Sequence, residues 1–261
     1  MKVGVTLRNM GPQSTREVML EGALHAEAQG LDSVWITDHI AIPPDDAEGS
    51  GGRYTDPLTT LAWLGGATQR IGLGVGVLVV PYRATLATAK AIATTHELTG
   101  ERLLLGLAVG WMDAEFRAVG VDRHQRGRIT EEFLDLLGRC FLDEVIEENG
   151  QPFLFDPKPP MPPVYLGGGA PHATARAARF GHGWLPMVRS PEALSASLSG
   201  FGGPVTVMTG LPLADSAAAL EQLRGYQALG VERVVVAVRY NEIDEYRSAV
   251  DQITDVVAGL S

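Results

Sequence analysis

The sequence has few of the residues that mark several common classes of protein. It holds a single cysteine, Cys140, so no disulfide can form within the chain, which is typical of a reducing compartment. Only three of its 21 basic residues are lysine, and 31 acidic residues bring the formal net charge to −10. An acidic chain is a poor partner for nucleic acid or an anionic membrane surface, so we expect neither.

No apolar run in the sequence is long enough to cross a membrane. The longest, residues 71–81, falls well short of the ~20 residues that a membrane helix needs. The chain opens on an alternating apolar pattern, without the charged and apolar regions of a secretory leader. We therefore expect a cytoplasmic protein.

Several catalytic motifs are also missing. No G-x-S-x-G nucleophile elbow occurs, which argues against Ser-His-Asp hydrolysis. The six histidines form no H-E-x-x-H motif or cluster, and a lone cysteine allows no C-x-x-C. We therefore expect no catalytic metal.

Short apolar runs alternate with longer helical patterns along the chain. Several runs are apolar at nearly every position, which is typical of parallel strands buried on both faces. The predicted strands are 3–7, 33–36, 71–77, 103–109, 164–167, 183–185, 205–209 and 234–239. The proline-rich segment 147–163 has no such run and is predicted to be a covering loop.

The spacing of these strands favours a closed barrel. It averages roughly 33 residues, typical of a strand with its crossover helix. Eight such units close into a (β/α)8 barrel, and 261 residues is near the usual size. An open doubly wound sheet is the alternative, but residues 8–12 lack its G-x-G-x-x-G turn. We therefore predict a single α/β barrel domain over residues 1–261.

Helix-capping residues appear between the predicted strands. Ser14 with Glu17 predicts a capping box. Asp56 and Ser190 each precede a proline at the first helical position, and Asp215 is the predicted cap of a later helix.

The loops that follow barrel strands carry the function in this fold. His39 follows the second strand beside Asp38, and an imidazole there can exchange a proton near neutral pH. Alternatively, His39 only fixes the loop, and Asp38 caps it or accepts a hydrogen bond from a polar ring edge. Asp38 and Asp113, both at strand ends, also leave open a glycosidase with paired carboxylates.

A glycine-rich turn of Gly167, Gly168, Gly169 and Ala170 follows the fifth strand. Backbone N–H groups at such a turn, together with the helix that begins there, suit a phosphate group. The alternative is an ordinary turn between a strand and a helix.

Four segments together resemble the luciferase-like monooxygenase superfamily: 30–40, 54–83, 89–120 and 162–186. The most specific is 89–120, a long helix followed by T-G-E-R, a strand, G-W and E-F-x-x-x-G. The chain is most similar to the deazaflavin-dependent branch, which uses coenzyme F420. The resemblance implies a TIM barrel with shortened insertions that transfers a hydride between the deazaflavin and a small organic substrate.

The resemblance also implies roles for the matching positions. Asp38 would contact the deazaflavin ring system, and His39 would act beside the reactive carbon as catalytic acid/base or substrate anchor. A non-prolyl cis bond between Gly76 and Val77 would support the back of the ring. Gly110 would lie along the ribityl chain. The phosphate would be held by Gly167, Gly168, Gly169 and Ala170.

The chain departs from the family pattern at several positions, including His182 where an acid usually precedes Gly-Trp, and two departures bear on the cofactor and the chemistry. The arginine that often holds an FMN phosphate is replaced by Val109, which weakens FMN as the cofactor. A glutamate found in some deazaflavin dehydrogenases is replaced by Trp111, which puts their sugar-phosphate or alcohol chemistry in doubt.

Two alternative functions remain open: an FMN-dependent two-component monooxygenase and a non-catalytic cofactor-binding barrel. The family also implies a homodimer and, for some members, a separate cofactor-reducing enzyme.

Overall fold

A barrel of parallel strands surrounded by helices makes up the computed structural model, which describes residues 1–187, 190–198 and 200–260. The strands are β1 (Lys2–Thr6), β2 (Ser33–Ile36), β3 (Gly72–Val79), β4 (Leu103–Ala108), β5 (Ile146–Glu148), β6 (Gln151–Phe153), β7 (Val164–Gly167), β8 (Gly183–Leu185), β9 (Thr206–Thr209) and β10 (Arg233–Val236). The α-helices are α1 (Arg16–Ala28), α2 (Pro57–Ala67), α3 (Thr85–Leu98), α4 (Asp113–Val119), α5 (Arg126–Leu142), α6 (His172–Phe180), α7 (Pro191–Ser197), α8 (Ser216–Ala228) and α9 (Ile243–Ala258).

Eight of the strands form one parallel sheet that closes almost completely. Their order is β8-β7-β4-β3-β2-β1-β10-β9, and the two edge strands meet through a parallel bridge between Trp184 and Val205. All eight predicted strands are present, with ends that differ by a few residues. The predicted (β/α)8 barrel is therefore confirmed.

Large side chains fill the interior of the barrel. Trp35 is fully buried there, and its Nε1 donates a hydrogen bond to Ser33 Oγ at 2.9 Å. Its ring packs edge-on against Tyr165, with centroids 6.3 Å apart. A second apolar layer lies between the sheet and the outer helices, where β2 and β3 residues such as Val34 and Leu73 are fully buried. The interior of the barrel is thus a packed core.

The segment 147–163 differs from the predicted loop. The strands β5 and β6 at its start form an antiparallel hairpin. Asn149 and Gly150 make the turn between them, both at positive φ (52° and 75°). Phe155 is buried beside Phe141 of α5, and Lys90 of α3 lies 4.1 Å from its ring centroid. The segment therefore covers the outer helices.

The helix caps are confirmed at three of the four predicted positions. Asp56, Ser190 and Asp215 accept hydrogen bonds from the first turns of α2, α7 and α8. The capping box at Ser14 is wrong, because Thr15 caps α1 by accepting from the Val18 N–H. Ser14 Oγ is engaged by Gly11 and Arg53 instead.

Within the described ranges, no helix is both long and apolar enough to cross a bilayer.

Candidate active site

A cavity of about 560 Å³ opens at the carboxyl ends of the barrel strands. Its walls come from the carboxyl-terminal parts of β3, β4, β7, β8 and β9 and from segments that follow β2, β3, β4, β7 and β8. Seven of the nine site residues predicted from the sequence line it: Asp38, His39, Gly76, Val77, Gly110, Gly167 and Gly168. Gly169 and Ala170 are absent from its lining and lead into α6. We call this cavity the cleft.

The back wall of the cleft is the end of β3. The peptide bond between Gly76 and Val77 is cis, as the family resemblance implies. Val77 lies close to Gly167 in β7: a Cβ added at Gly167 would be only 2.9 Å from Val77 Cγ1. A glycine at 167 therefore lets β3 and β7 meet behind the cleft.

Asp38 forms a buried ion pair beneath the cleft. Its side chain is fully buried and accepts two hydrogen bonds from Arg83, at 2.6 Å and 2.7 Å. Its Oδ2 also accepts the Val79 N–H at 2.8 Å. Both oxygens are engaged, so the Asp38 carboxylate fixes the end of β3 against β2, and the pair raises the pKa of Arg83 against the effect of burial.

His39 stands at the edge of the cleft with one nitrogen held by Glu115. The distance from His39 Nδ1 to Glu115 Oε2 is 3.0 Å. The other carboxylate oxygen of Glu115 accepts the N–H groups of Ile40 and Ala41, at 2.6 Å and 3.0 Å. One carboxylate from α4 therefore fixes both the loop after β2 and the imidazole it carries.

Glu115 is ionised at neutral pH although its side chain is only 1% exposed. Burial opposes the charge, but the N–H groups of Ala41 and Ile40, the charge of His39 and the Tyr82 hydroxyl together hold the pKa of Glu115 below its ordinary value. Burial and the nearby Glu115 raise the pKa of Tyr82, which stays neutral and can donate. An ionised Glu115 only accepts hydrogen bonds, so Nδ1 of His39 carries a proton.

The Nε2 of His39 is therefore the nitrogen available for proton exchange in the neutral imidazole. Two aromatic rings flank it: Tyr54, with centroids 5.0 Å apart, and Trp111, at 6.2 Å and nearly perpendicular. The His39 side chain keeps 20% of its surface exposed. These contacts hold the His39 imidazole in place and leave part of its surface accessible.

The glycine-rich turn after β7 presents free backbone donors. The Gly168 N–H is used by Leu185 O, and Gly168 O accepts from Trp184 Nε1 at 2.8 Å. By contrast, the N–H groups of Gly169 and Ala170 donate to none of the described residues. They precede the first turn of α6, where the helix dipole adds positive potential. This turn suits a phosphate at the rim of the cleft.

Sequence reasoning missed Glu115, Arg83 and Tyr82 as site residues. Glu115 was visible as the acid of the E-F-x-x-x-G motif, and Arg83 as a cation just past the end of the third strand. Neither signal indicates a partner, because the contacts join distant parts of the chain. Among the described residues, no three or more His, Cys, Asp and Glu are grouped so that they could hold a metal ion.

The fold and the cleft define a (β/α)8 barrel with its candidate site at the end of the strands where such barrels carry their active sites. Residues 1–201 match the model of the luciferase-like monooxygenase family, so the chain belongs to that family.

Two curated relatives are named as F420-dependent enzymes. An F420-dependent glucose-6-phosphate dehydrogenase of Kineococcus radiotolerans is 33% identical over 62% of this chain and 50% of its own length. An F420-dependent hydroxymycolic acid dehydrogenase of Mycobacterium tuberculosis is 32% identical over 72% of this chain and 53% of its own length. The chain thus spans about half the length of these relatives. The predicted resemblance to this family and branch is confirmed.

Solved structures agree on the fold. An F420-dependent secondary alcohol dehydrogenase superposes with a TM-score of 0.80 at 14% identity, covering 100% of this chain and 99% of that one. The monooxygenase RslO1 from Streptomyces bottropensis gives 0.78 at 17% identity, covering 99% of both chains. At these identities the likeness concerns the fold.

Proposed function

We propose that the protein is an F420-dependent oxidoreductase that transfers a hydride between the deazaflavin and a small organic substrate. The observation that carries the proposal is the pairing of an imidazole fixed by Glu115 with a glycine-rich turn whose first two residues, Gly167 and Gly168, line the same cleft. The F420-dependent relatives support the choice of cofactor.

The cleft has the features that this cofactor requires. A flat ring system would rest against Gly76 and Val77, and the ribityl chain would follow Gly110. The phosphate would bind the N–H groups of Gly169 and Ala170, with Gly167 and Gly168 closing the turn. Asp38 would act indirectly, because its carboxylate is fully engaged by Arg83 and Val79.

The bound deazaflavin would supply or accept a hydride at its reactive carbon. His39 would hold the substrate oxygen at Nε2 and give or take its proton, since Nδ1 is committed to Glu115. General acid–base assistance of this kind contributes ~10²–10⁴-fold to a rate.

An FMN-dependent monooxygenase is the alternative within the family. An alkanal monooxygenase alpha chain of Photorhabdus laumondii is 25% identical over 63% of this chain. Val109 counts against it, because this uncharged residue lines the cleft and offers no phosphate contact. The homodimer and the separate cofactor-reducing enzyme stay predictions.

The test measures whether the hydride of reduced F420 is transferred to the product. The protein is mixed with reduced F420 that carries deuterium at its reactive carbon and with a panel of small aldehydes and ketones. We expect one deuterium in the alcohol product and no oxygen uptake. Uptake of oxygen with reduced FMN, without deuterium transfer from F420, would support the monooxygenase. Binding of F420 without any turnover across the panel would support the non-catalytic barrel.

A further inference from the structure

The outer part of the cleft exposes large apolar side chains. Trp111 is 67% exposed and Met187 is 80% exposed, and both line the cleft. Ile40, next to His39 in the chain, is 49% exposed. Exposed apolar surface gathered at the mouth of a pocket is typical of a ligand-binding surface. We call Trp111 and Met187 the apolar rim.

The charges of the described cleft residues disfavour an anionic ligand. None of the described residues that line the cleft is lysine or arginine, and apart from the His39 imidazole its charged groups are the carboxylates of Asp38 and Glu115. The nearby guanidinium of Arg83 is 15% exposed and already bound by Asp38. The free amides of Gly169 and Ala170 are taken by the cofactor phosphate in the proposed function. An anionic substrate therefore finds no lysine or arginine to bind among the described residues that line the cleft.

The rim lies within reach of the proton-exchanging group. The Trp111 and His39 rings have centroids 6.2 Å apart and an interplanar angle of 86°. A ring that packs on the Trp111 indole can therefore place an oxygen substituent beside the His39 imidazole. Stacking of this kind contributes to affinity without requiring any charge.

We propose that the substrate is an uncharged aromatic or alicyclic compound with one carbonyl or hydroxyl oxygen, and that it packs on Trp111. This inference rests on the proposed function and names its substrate class. In the reducing direction, the carbonyl carbon gains the hydride of the reduced deazaflavin and the carbonyl π bond opens. The oxygen takes its proton from Nε2 of His39, which enters the step as an imidazolium and leaves it as the neutral imidazole, giving an alcohol and the oxidised cofactor.

Two aldehydes that differ by one carboxylate give the sharpest test. With benzaldehyde and 4-carboxybenzaldehyde, we expect kcat/KM to favour the neutral compound at least tenfold, about 1.4 kcal/mol. Trp111→Ala should raise the KM for benzaldehyde about tenfold, Trp111→Phe should recover most of the loss, and neither should change the Kd of F420. Leu142→Ala is the matched control, because Leu142 is 80% exposed and lies outside the cleft.

A second measurement separates this inference from the proposed function. Ligand-observed NMR on the cofactor-free protein should show benzaldehyde binding that Trp111→Ala abolishes, and no binding of 4-carboxybenzaldehyde. If that holds while F420 fails to bind, the proposed function falls and the substrate class stands. If F420 is turned over equally well with both aldehydes, or if Trp111→Ala leaves the KM unchanged, the substrate class is wrong and the function stands.

Discussion

His39 Nδ1 lies 3.0 Å from Oε2 of Glu115, a residue 76 positions further along the chain. The contact joins the loop after β2 to the first turn of α4, across the mouth of the cleft. Because Glu115 accepts and Nδ1 donates, the tautomer of His39 is set by its partner. The function of His39 therefore depends on a residue that lies on a different element.

Replacing Glu115 with glutamine tests this dependence. The Glu115→Gln side chain can donate to Nδ1, which moves the ring proton to Nε2 and removes the acceptor from the cleft. We expect turnover to fall by about tenfold or more, and by no more than the ~10²–10⁴-fold that general acid–base catalysis contributes, with little change in the Kd of F420.

The matched control for Glu115→Gln is Asp113→Asn on the same helix. Asp113 pairs with Arg117 at the surface, where its side chain is 60% exposed. Asp113→Asn should leave turnover unchanged. Unchanged turnover for Glu115→Gln would show that Glu115 does not position His39.

Glu115 also makes the stability of the fold depend on pH. Its pKa in the folded protein is held below the ordinary value of 4.5, against the effect of burial, by the N–H groups of Ala41 and Ile40. Its contribution is therefore complete above about pH 4.5 and is lost as the pH falls through the lower folded value. Urea unfolding between neutral pH and about pH 3 should show a shallower loss of stability for Glu115→Gln than for the wild type. Parallel curves would contradict this.

The buried pair of Asp38 and Arg83 should be costly to break. Arg83→Met leaves a fully buried carboxylate without its partner, so we expect the free energy of unfolding to fall by ~3–5 kcal/mol. The double variant Asp38→Asn with Arg83→Met should recover much of the loss. Asp56→Asn is the control: Asp56 is 48% exposed, its contact with Arg83 is 3.2 Å, and asparagine keeps the helix cap, so about 0–1 kcal/mol is expected. Equal losses for Arg83→Met and Asp56→Asn in urea unfolding would contradict the assignment.

The shape of the glycine-rich turn should matter for cofactor affinity. Gly168 has a φ of +131°, which side chains rarely adopt, whereas a Cβ at Gly169 would meet nothing within 4 Å. Gly168→Ala should weaken F420 binding about tenfold, since such strain costs ~1–3 kcal/mol and shifts the free amides. Gly169→Ala should bind normally. Fluorescence titration of both variants decides, and equal affinities would remove this turn from the cofactor site.

The barrel could be predicted from the sequence because its strands are buried on both faces. Runs such as the one ending at Val79 are apolar at nearly every position, and that pattern is local. The hairpin at Asn149 and Gly150 was missed although Asn-Gly is a strong turn signal, because its strands span only three residues each. A short strand gives too little alternation to be recognised.

The candidate site could be predicted only in part, for a related reason. His39 and the glycine-rich turn were found because a strand end is visible locally. The partners Glu115 and Arg83 were not, because they lie 76 and 45 positions from His39 and Asp38. No periodicity links residues so far apart, and the role of Asp38 as a buried ion-pair partner appears only in the folded chain.

Equilibrium titration of the purified protein with F420 and, separately, with FMN tests the central claim most directly. The change in visible absorption or fluorescence gives each Kd. We predict that F420 binds at least tenfold more tightly than FMN, a difference of about 1.4 kcal/mol, because Val109 offers FMN no phosphate contact. Equal or tighter binding of FMN, or no binding of F420 at all, would contradict an F420-dependent oxidoreductase.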